Sequence, residues 1–424
     1  MEKFNFTHIP LPELPLGGLE TPLTDDERMI VDAVAAFAQE VMRPLGQQLD
    51  RMTPEEAAAP ESPIHGFLQQ LKDMGIGPEG LVTMAPEQMA RMLPMIQGIL
   101  GWGDAGLAIL AGSTGFAGFA AHQTGNAELI ERFGSAPGCW VGTQPDRGSD
   151  CSDIEGKEIL PGRRHGKPNL TARVTADEVI LNGQSSAWVS GAPIAQCALA
   201  YVPADYGDGL YDANGLMRGV ALFIPFDEKG VKKGRPLDKM GQRSLPQGEV
   251  FFDEVRVPRR YVLADEGAFN GSFFGAFTLA NMEMACVFSG LARAAYEEAL
   301  AYVHQRRQGG AVLIEHQSVR ARLYKIWEKV ELCRAITQRA CNFNVLGQPH
   351  VLASITAKVS VTEHALAAVS EALQLFGGNG LTREYPLEKM YRDARAATIE
   401  DGENHVLGLV AAGHLSKWYR QHHE

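Results

Sequence analysis

No CxxC pair occurs among the six cysteines of this 424-residue chain (Cys139, Cys151, Cys197, Cys286, Cys333 and Cys341). Scattered cysteines in a chain this long read as reduced packing residues, which sets the expectation of a cytoplasmic compartment and of no metal site. Positive charge is also short. The net charge is −12, and phosphate binding needs clustered Lys and Arg, so nucleic acid is excluded as the main partner. The basic runs RRQ (306–308) and GRRHGK (162–167) are too small to change this. A basic-then-apolar leader is missing at the N-terminus, where Glu2 stands at once, so no signal peptide is expected. A greasy spanning segment is missing too. The longest uncharged run, 105–127, is rich in Gly, Ala, Ser and Thr and carries His122, Gln123 and Asn126. It reads as a tightly packed buried helix, and no membrane span is expected. Internal repeats and low-complexity segments are absent as well.

What is present is an ordinary globular composition, 45% apolar and 21% charged, long enough for two or three domains. Residues 1–23, Pro- and Leu-rich without period, read as an extended arm. Thr24 followed by Glu27 has the form of a capping box, and Ile30, Val34, Phe37, Val41 and Met42 then recur at helical spacing. Residues 139–258 are richer in β-branched residues and turn signals. There, Asn182-Gly183 between apolar strands reads as a hairpin turn, and VFFDEVRVP alternates up to Pro258. From 264 onward, long segments near 278–306, 316–346 and 350–376 and a shorter one at 403–420 have helical spacing, as in a bundle. The expected organisation is α+β: a helical domain at 1–138, an antiparallel β-barrel domain at 139–260 and a four-helix-bundle domain at 261–424.

Several short segments bear on chemistry. GWGDAG (101–106) matches GxGxxG but follows a helical pattern rather than a strand, so it reads as a helix–helix turn. TQPDRGSD (143–150) offers backbone N–H groups and hydroxyls suited to a phosphate or the polar edge of a heterocycle. Trp188-Val189-Ser190 follows the Asn-Gly step. Near the C-terminus, QLFGGNGLTREYPLEKMYRDARAATIEDGENH (374–405) combines a glycine-rich loop, an Arg392-Asp393 pair read as a structural ion pair, and three carboxylates around Gly402.

Taken in order, these segments resemble the acyl-CoA dehydrogenases. TQPDRGSD is similar to that family's TEPxxGSD loop, with Gln144 in place of Glu and with Thr143, Gly148 and Ser149 matching. Trp188 and Ser190 match its Trp-Ile-Thr/Ser element beside the flavin. KMGQRSLPQGEVFFDEVRVP (239–258) is similar to the family's exit from its β domain. Arg306 and Gln317 fall where the family places residues serving a neighbouring subunit's FAD, and Gln374, Gly377 and Gly378 fit its QxxGGxG loop. Gly309 stands where Phe is common, Leu381 where an aromatic is usual, and residues 76–96 lack the family's Pro-Glu-Glu-Tyr-Gly-Gly-type loop.

The resemblance implies FAD as cofactor and an acyl-CoA thioester as substrate. It also implies an electron-transfer flavoprotein as acceptor and a homotetramer or homodimer with FAD at subunit interfaces. The base would remove the α-proton as the β-hydrogen leaves to flavin N5. Hydrogen bonds to the thioester oxygen would come from a ribityl hydroxyl and from the backbone N–H of the base residue. Alignment on Gly402 assigns the base to Asp401, with Glu400 second, where the family has Glu. Asp is shorter by one carbon–carbon bond, about 1.5 Å. Small residues in 105–118 read as close helix packing, or as room for a bulky acyl group. Two other readings stand beside this one. One is a flavin oxidase like the nitroalkane oxidases, which pair their Asp with an Arg where this chain has Gly408. The other is a non-catalytic FAD-binding partner subunit.

Overall fold

The computed structural model describes residues 22–154, 156–159 and 168–423. Most of the expected N-terminal arm and the GRRHGK run lie outside the described residues. The order is helical, then strand-rich, then helical.

The first helix, Asp25–Phe37, starts at the expected capping box. Thr24 accepts from the Glu27 N–H, and the Thr24 N–H donates to the Glu27 carboxylate at 2.9 Å. The 105–127 run forms a helix, Ala105–Thr124, that stops at Gly125 in the left-handed region. The four helical segments read near the C-terminus are Phe269–Gln305, Gln317–Leu346, Val351–Phe376 and Asn404–His423. Helix Phe269–Gln305 packs on the next two and on the N-terminal helix Pro86–Gly103. One apolar core therefore runs through both helical regions, from Phe67 and Leu100 to Phe288 and Val369. Helices Ala105–Thr124 and Phe269–Gln305 are long and apolar enough to cross a membrane, and most of each is packed inside the protein.

Between them lies a curled eight-stranded sheet. Its order is Val262–Ala264, Gly219–Pro225, Cys197–Asp205, Thr171–Val174, Glu178–Gln184, Val250–Pro258 and Val231–Lys233. Trp140–Val141 is added in parallel along Cys197–Asp205 (Trp140 opposite Leu199). The two central strands, CALAYVPAD and GVALFIP, are buried almost throughout, which explains their unbroken apolar composition.

Asn182-Gly183 is not a hairpin turn. Both residues lie inside the strand Glu178–Gln184, where the register against Val250–Pro258 shifts between Leu181 and Gly183. Gly183 has φ +118°, and a Cβ there would sit 2.1 Å from the Asn169 carbonyl oxygen. The Asn182 amide meanwhile bonds Glu254, itself at φ +49°. The positive-φ tolerance that suggests a turn here serves a β-bulge instead. The chain actually reverses at residues 175–177, where Thr175 bonds Glu178.

The GWGDAG glycines mark close approach of helices. A Cβ on Gly101 would lie 2.0 Å from the Val287 carbonyl oxygen, and one on Gly290 would lie 1.8 Å from that of Gly98. Because both clashes are with backbone, Gly290→Ala is expected to cost about 1–3 kcal/mol or more. The check is a lower urea midpoint with an unchanged m-value.

Candidate active site

A cavity of about 1720 Å³ opens where the sheet meets the two helical regions. It is far too large for an acyl chain alone, and it gathers one set of the sequence-selected residues while leaving another outside. Thr143, Gly148, Ser149, Trp188, Ser190, Glu400 and Asp401 all line it.

The 143–150 loop is fixed from beneath. Buried Gln144 receives the Leu170 N–H at 2.7 Å and donates to the Leu170 carbonyl at 3.1 Å. An amide satisfies both backbone groups of Leu170, whereas a carboxylate cannot donate, so the Gln at this position has a local structural cause. Thr143 and Ser186 share a 2.7 Å hydroxyl contact, and open space lies beside Gly148. Trp188 is 62% exposed. It is a bare ring on the cavity wall and not a core residue.

Asp401 (φ +49°) and Gly402 (φ +94°) form two consecutive left-handed residues. Asp tolerates that conformation better than most side chains. Three side chains hold the turn. The Glu403 N–H donates to Ser149 Oγ at 2.8 Å, which joins the 400–403 turn to the 143–150 loop. Lys358 Nζ donates to the Gly402 carbonyl at 2.7 Å and to Asn404 Oδ1 at 2.8 Å. Asn281 donates to the Asp401 carbonyl at 3.4 Å. The Asp401 N–H has no hydrogen-bond acceptor among the described residues. Glu403 caps the last helix by accepting the Val406 N–H.

Burial pushes the Asp401 carboxyl above its ordinary value, against the pull of Lys358. Glu400, which accepts from Gln242, is raised to about 7 by burial and by Asp401. A third carboxyl, Glu283 of helix Phe269–Gln305, also lines the cavity and is raised to about 8 by burial and by Asp401. Lys358 and Lys239 are both lowered to about 8 by burial, opposed by the neighbouring carboxylates. Glu283 and Lys358 escaped the sequence reading, although each is a charged residue inside a long apolar helical run.

These shifts set the sign of a pH dependence. The folded state binds more protons than the unfolded chain between about pH 4.5 and 8 at Glu400 and Glu283, so stability is expected to fall as pH rises through that window. Above about pH 8 the unfolded chain binds more at Lys358 and Lys239. From about pH 9, however, the buried thiols of Cys139, Cys151, Cys197, Cys286 and Cys333, raised by burial and at Cys286 first by the Cys341 thiol, bind more in the folded state and oppose any recovery. Urea midpoints of the cofactor-free protein should fall from pH 5 to pH 8. A monotonic rise from pH 5 to 8 would refute this.

Arg306, Gln317, Gln374, Gly377 and Gly378 do not reach the cavity. They are exposed at one end of the bundle. Tyr302 joins the two chain segments there, accepting from Asn379 and stacking on Phe376 at 3.8 Å. Arg392 and Asp393 are structural but do not pair with each other. Arg392 forks onto Asp50 and Glu388, at 2.8–2.9 Å. Asp393 faces the other way, onto Lys389 and the Gln242 N–H, because neighbours in a helix point about 100° apart.

Among the small residues of helix Ala105–Thr124, Ala111, Gly112, Ser113 and Gly115 face the cavity. Gly106 and Gly118 instead meet Ser244 and the Gly134 carbonyl in close packing. The run therefore packs closely at Gly106 and Gly118 and borders the cavity at Ala111, Gly112, Ser113 and Gly115.

Residues 273–415 match the family model described as the acyl-CoA dehydrogenase C-terminal domain. The chain is similar to the probable acyl-CoA dehydrogenase YngJ of Bacillus subtilis (27% identical, covering 93% of this chain and 99% of that protein). It is also similar to the human mitochondrial short-chain specific acyl-CoA dehydrogenase (26%, covering 94% and 92%). Its fold is that of butyryl-CoA dehydrogenase from Megasphaera elsdenii (TM-score 0.78, 22% identity, covering 93% and 99%). The chain is thus similar to acyl-CoA dehydrogenases over nearly its whole length, and its C-terminal third matches that family's model, the family being FAD-dependent oxidoreductases that act on CH–CH bonds.

Proposed function

We propose that this protein dehydrogenates an acyl-CoA thioester between Cα and Cβ, with Asp401 taking the α-proton. The observation that carries this reading is the Ser149–Glu403 hydrogen bond, which sets the base loop against the 143–150 loop at one cavity wall. The residues present fit a flavin. Thr143, Gly148, Ser149 and Ser190 offer hydroxyl and backbone groups, and the bare Trp188 ring offers a stacking face. FAD held there would supply the two-electron acceptor for the β-hydride.

The chain's own residues do the rest. Asp401 accepts the α-proton on a carboxylate oxygen as the Cα–Cβ double bond forms. A desolvated carboxylate is a stronger base than one in water. The free Asp401 N–H is available to the thioester oxygen, where negative charge develops. Lys358 pins the turn and opposes, by its charge, too large a rise in the Asp401 pKa. The exposed group of Arg306, Gln317, Gln374, Gly377 and Gly378 serves the FAD of a second copy in a homotetramer or homodimer. Arg suits a pyrophosphate through its forked donors. Electrons leave to an electron-transfer flavoprotein.

The test is the visible spectrum of the purified protein, followed by anaerobic bleaching with a chain-length panel of acyl-CoA thioesters and with nitroalkanes. Bleaching by thioesters supports the proposal. Bleaching by nitroalkanes alone would identify a flavin oxidase, bound flavin that neither class bleaches would identify a non-catalytic FAD-binding subunit, and a protein that takes up no flavin would overturn all three readings.

A further inference from the structure

Five cavity-lining residues carry a buried polar atom without a hydrogen-bond partner among the described residues. Beside Trp140 and Gln242 these are Gln97 (Oε1), Glu283 (Oε1) and Asn344 (Nδ2), the last three of which form one group. They come from three mutually packed helices, Pro86–Gly103, Phe269–Gln305 and Gln317–Leu346. Met282, Val345 and Leu93, the last one helical turn before Gln97, meet in one small apolar cluster with Cys286 and Cys341, whose Sγ atoms lie 3.6 Å apart. Glu283 and Asn344 each stand about one helical turn from that sulfur contact, so the three residues belong to one end of the cavity.

Each is held in place. The Asn344 Oδ1 accepts the His350 N–H at 2.9 Å, which leaves Nδ2 as the free donor. Glu283 lies across helix Ala105–Thr124 at Gly112, where a Cβ would come within 1.6 Å of its Oε1. Among the described residues no Lys, Arg or His shifts the Glu283 carboxyl, whose charged neighbour is Asp401. Burial keeps Glu283 uncharged at neutral pH, so it offers a hydroxyl donor as well as an acceptor.

We infer that this end of the cavity receives a polar acyl terminus, and that the preferred thioester carries an uncharged hydroxyl or carboxamide bound by Gln97, Glu283 and Asn344. A hydrocarbon end would leave two acceptors and a donor unpaired, whereas a hydroxyl or carboxamide both donates and accepts. The inference rests on the acyl-CoA reading above and narrows its substrate class. Sites built around such groups reject the analogue that lacks them far more strongly than apolar pockets reject one methylene.

The test uses flavin-loaded enzyme and thioesters of matched length ending in methyl, hydroxyl, carboxamide or ammonium. It reads kcat and KM together with calorimetric dissociation constants for the unreactive thioether analogues. A hydroxyl or carboxamide preference of ~100-fold in kcat/KM, carried in KM and in thioether affinity, is expected. Glu283→Gln should shrink it by weakening one partner, and Asn344→Leu or Gly112→Ala should collapse it. Bleaching with equal or better use of the methyl series overturns the inference and leaves the dehydrogenase reading intact. A preference for ammonium overturns the uncharged assignment. Loss of kcat for every thioester alike in Glu283→Gln would make Glu283 the proton acceptor, and would also overturn the inference. Absence of bleaching by any thioester removes both readings.

Discussion

Asp401→Asn is expected to slow flavin reduction by acyl-CoA about 10²- to 10⁴-fold, the usual contribution of a positioned general base. Asn keeps the shape and tolerates the same left-handed backbone, so the turn with Gly402 at φ +94° should persist. The Lys358 and Ser149 contacts go to the Gly402 carbonyl and the Glu403 N–H, neither of which the substitution touches. Thioester affinity should therefore change little while the chemical step collapses. Stopped-flow bleaching under anaerobic conditions separates the two. Glu400→Gln is the control. Glu400 is engaged by Gln242 and shares the wall, so its loss should perturb the Asp401 titration and cost less than tenfold in rate. Normal bleaching in Asp401→Asn would remove Asp401 as the base and move attention to Glu400 or Glu283.

Lys389→Met is expected to destabilise the protein by about 3–5 kcal/mol, the cost of leaving buried carboxylates without their cation. Lys389 is buried between Asp104 at 2.5 Å and Asp393 at 2.6 Å. Burial alone would neutralise it, but the two carboxylates hold its pKa above the ordinary lysine range. The cluster links distant parts of the chain. Asp104 caps helix Ala105–Thr124 through the Leu107 N–H at 2.9 Å and accepts from Ser244 at 2.6 Å. Asp393 accepts the N–H of Gln242, whose side chain engages Glu400. A lower urea midpoint should therefore come with weaker flavin retention. Adding Asp104→Asn and Asp393→Asn to Lys389→Met should recover part of the loss, because the penalty comes from the stranded charges. No recovery in that triple variant would mean the loss is one of packing.

Much of the fold was legible. Thr24 and Glu27 marked a helix start because a capping box is satisfied within four residues, and the long C-terminal helices showed their period over many turns. The site was legible in part. The 143–150 loop, Trp188 and the 400–403 carboxylates were found because each is a short contiguous segment. Asn182-Gly183 misled because its positive-φ tolerance is the same in a turn and in a bulge. Arg392-Asp393 misled because adjacency in a helix is not contact. Glu283 and Lys358 escaped because a lone charge in an apolar helix shows its role only through what faces it.

The sequence by itself determined the α, β, α order and the carboxylates around Gly402, since each depends on local spacing and composition. Tertiary structure alone decided that Ser149 holds the turn at Asp401 and that Lys358 reaches Gly402 from another helix. It also brought Gln97, Glu283 and Asn344 to one cavity. These contacts join residues tens to hundreds of positions apart, and their energies come from burial and from unpaired polar groups. Both of those exist only once the helices and the sheet have packed.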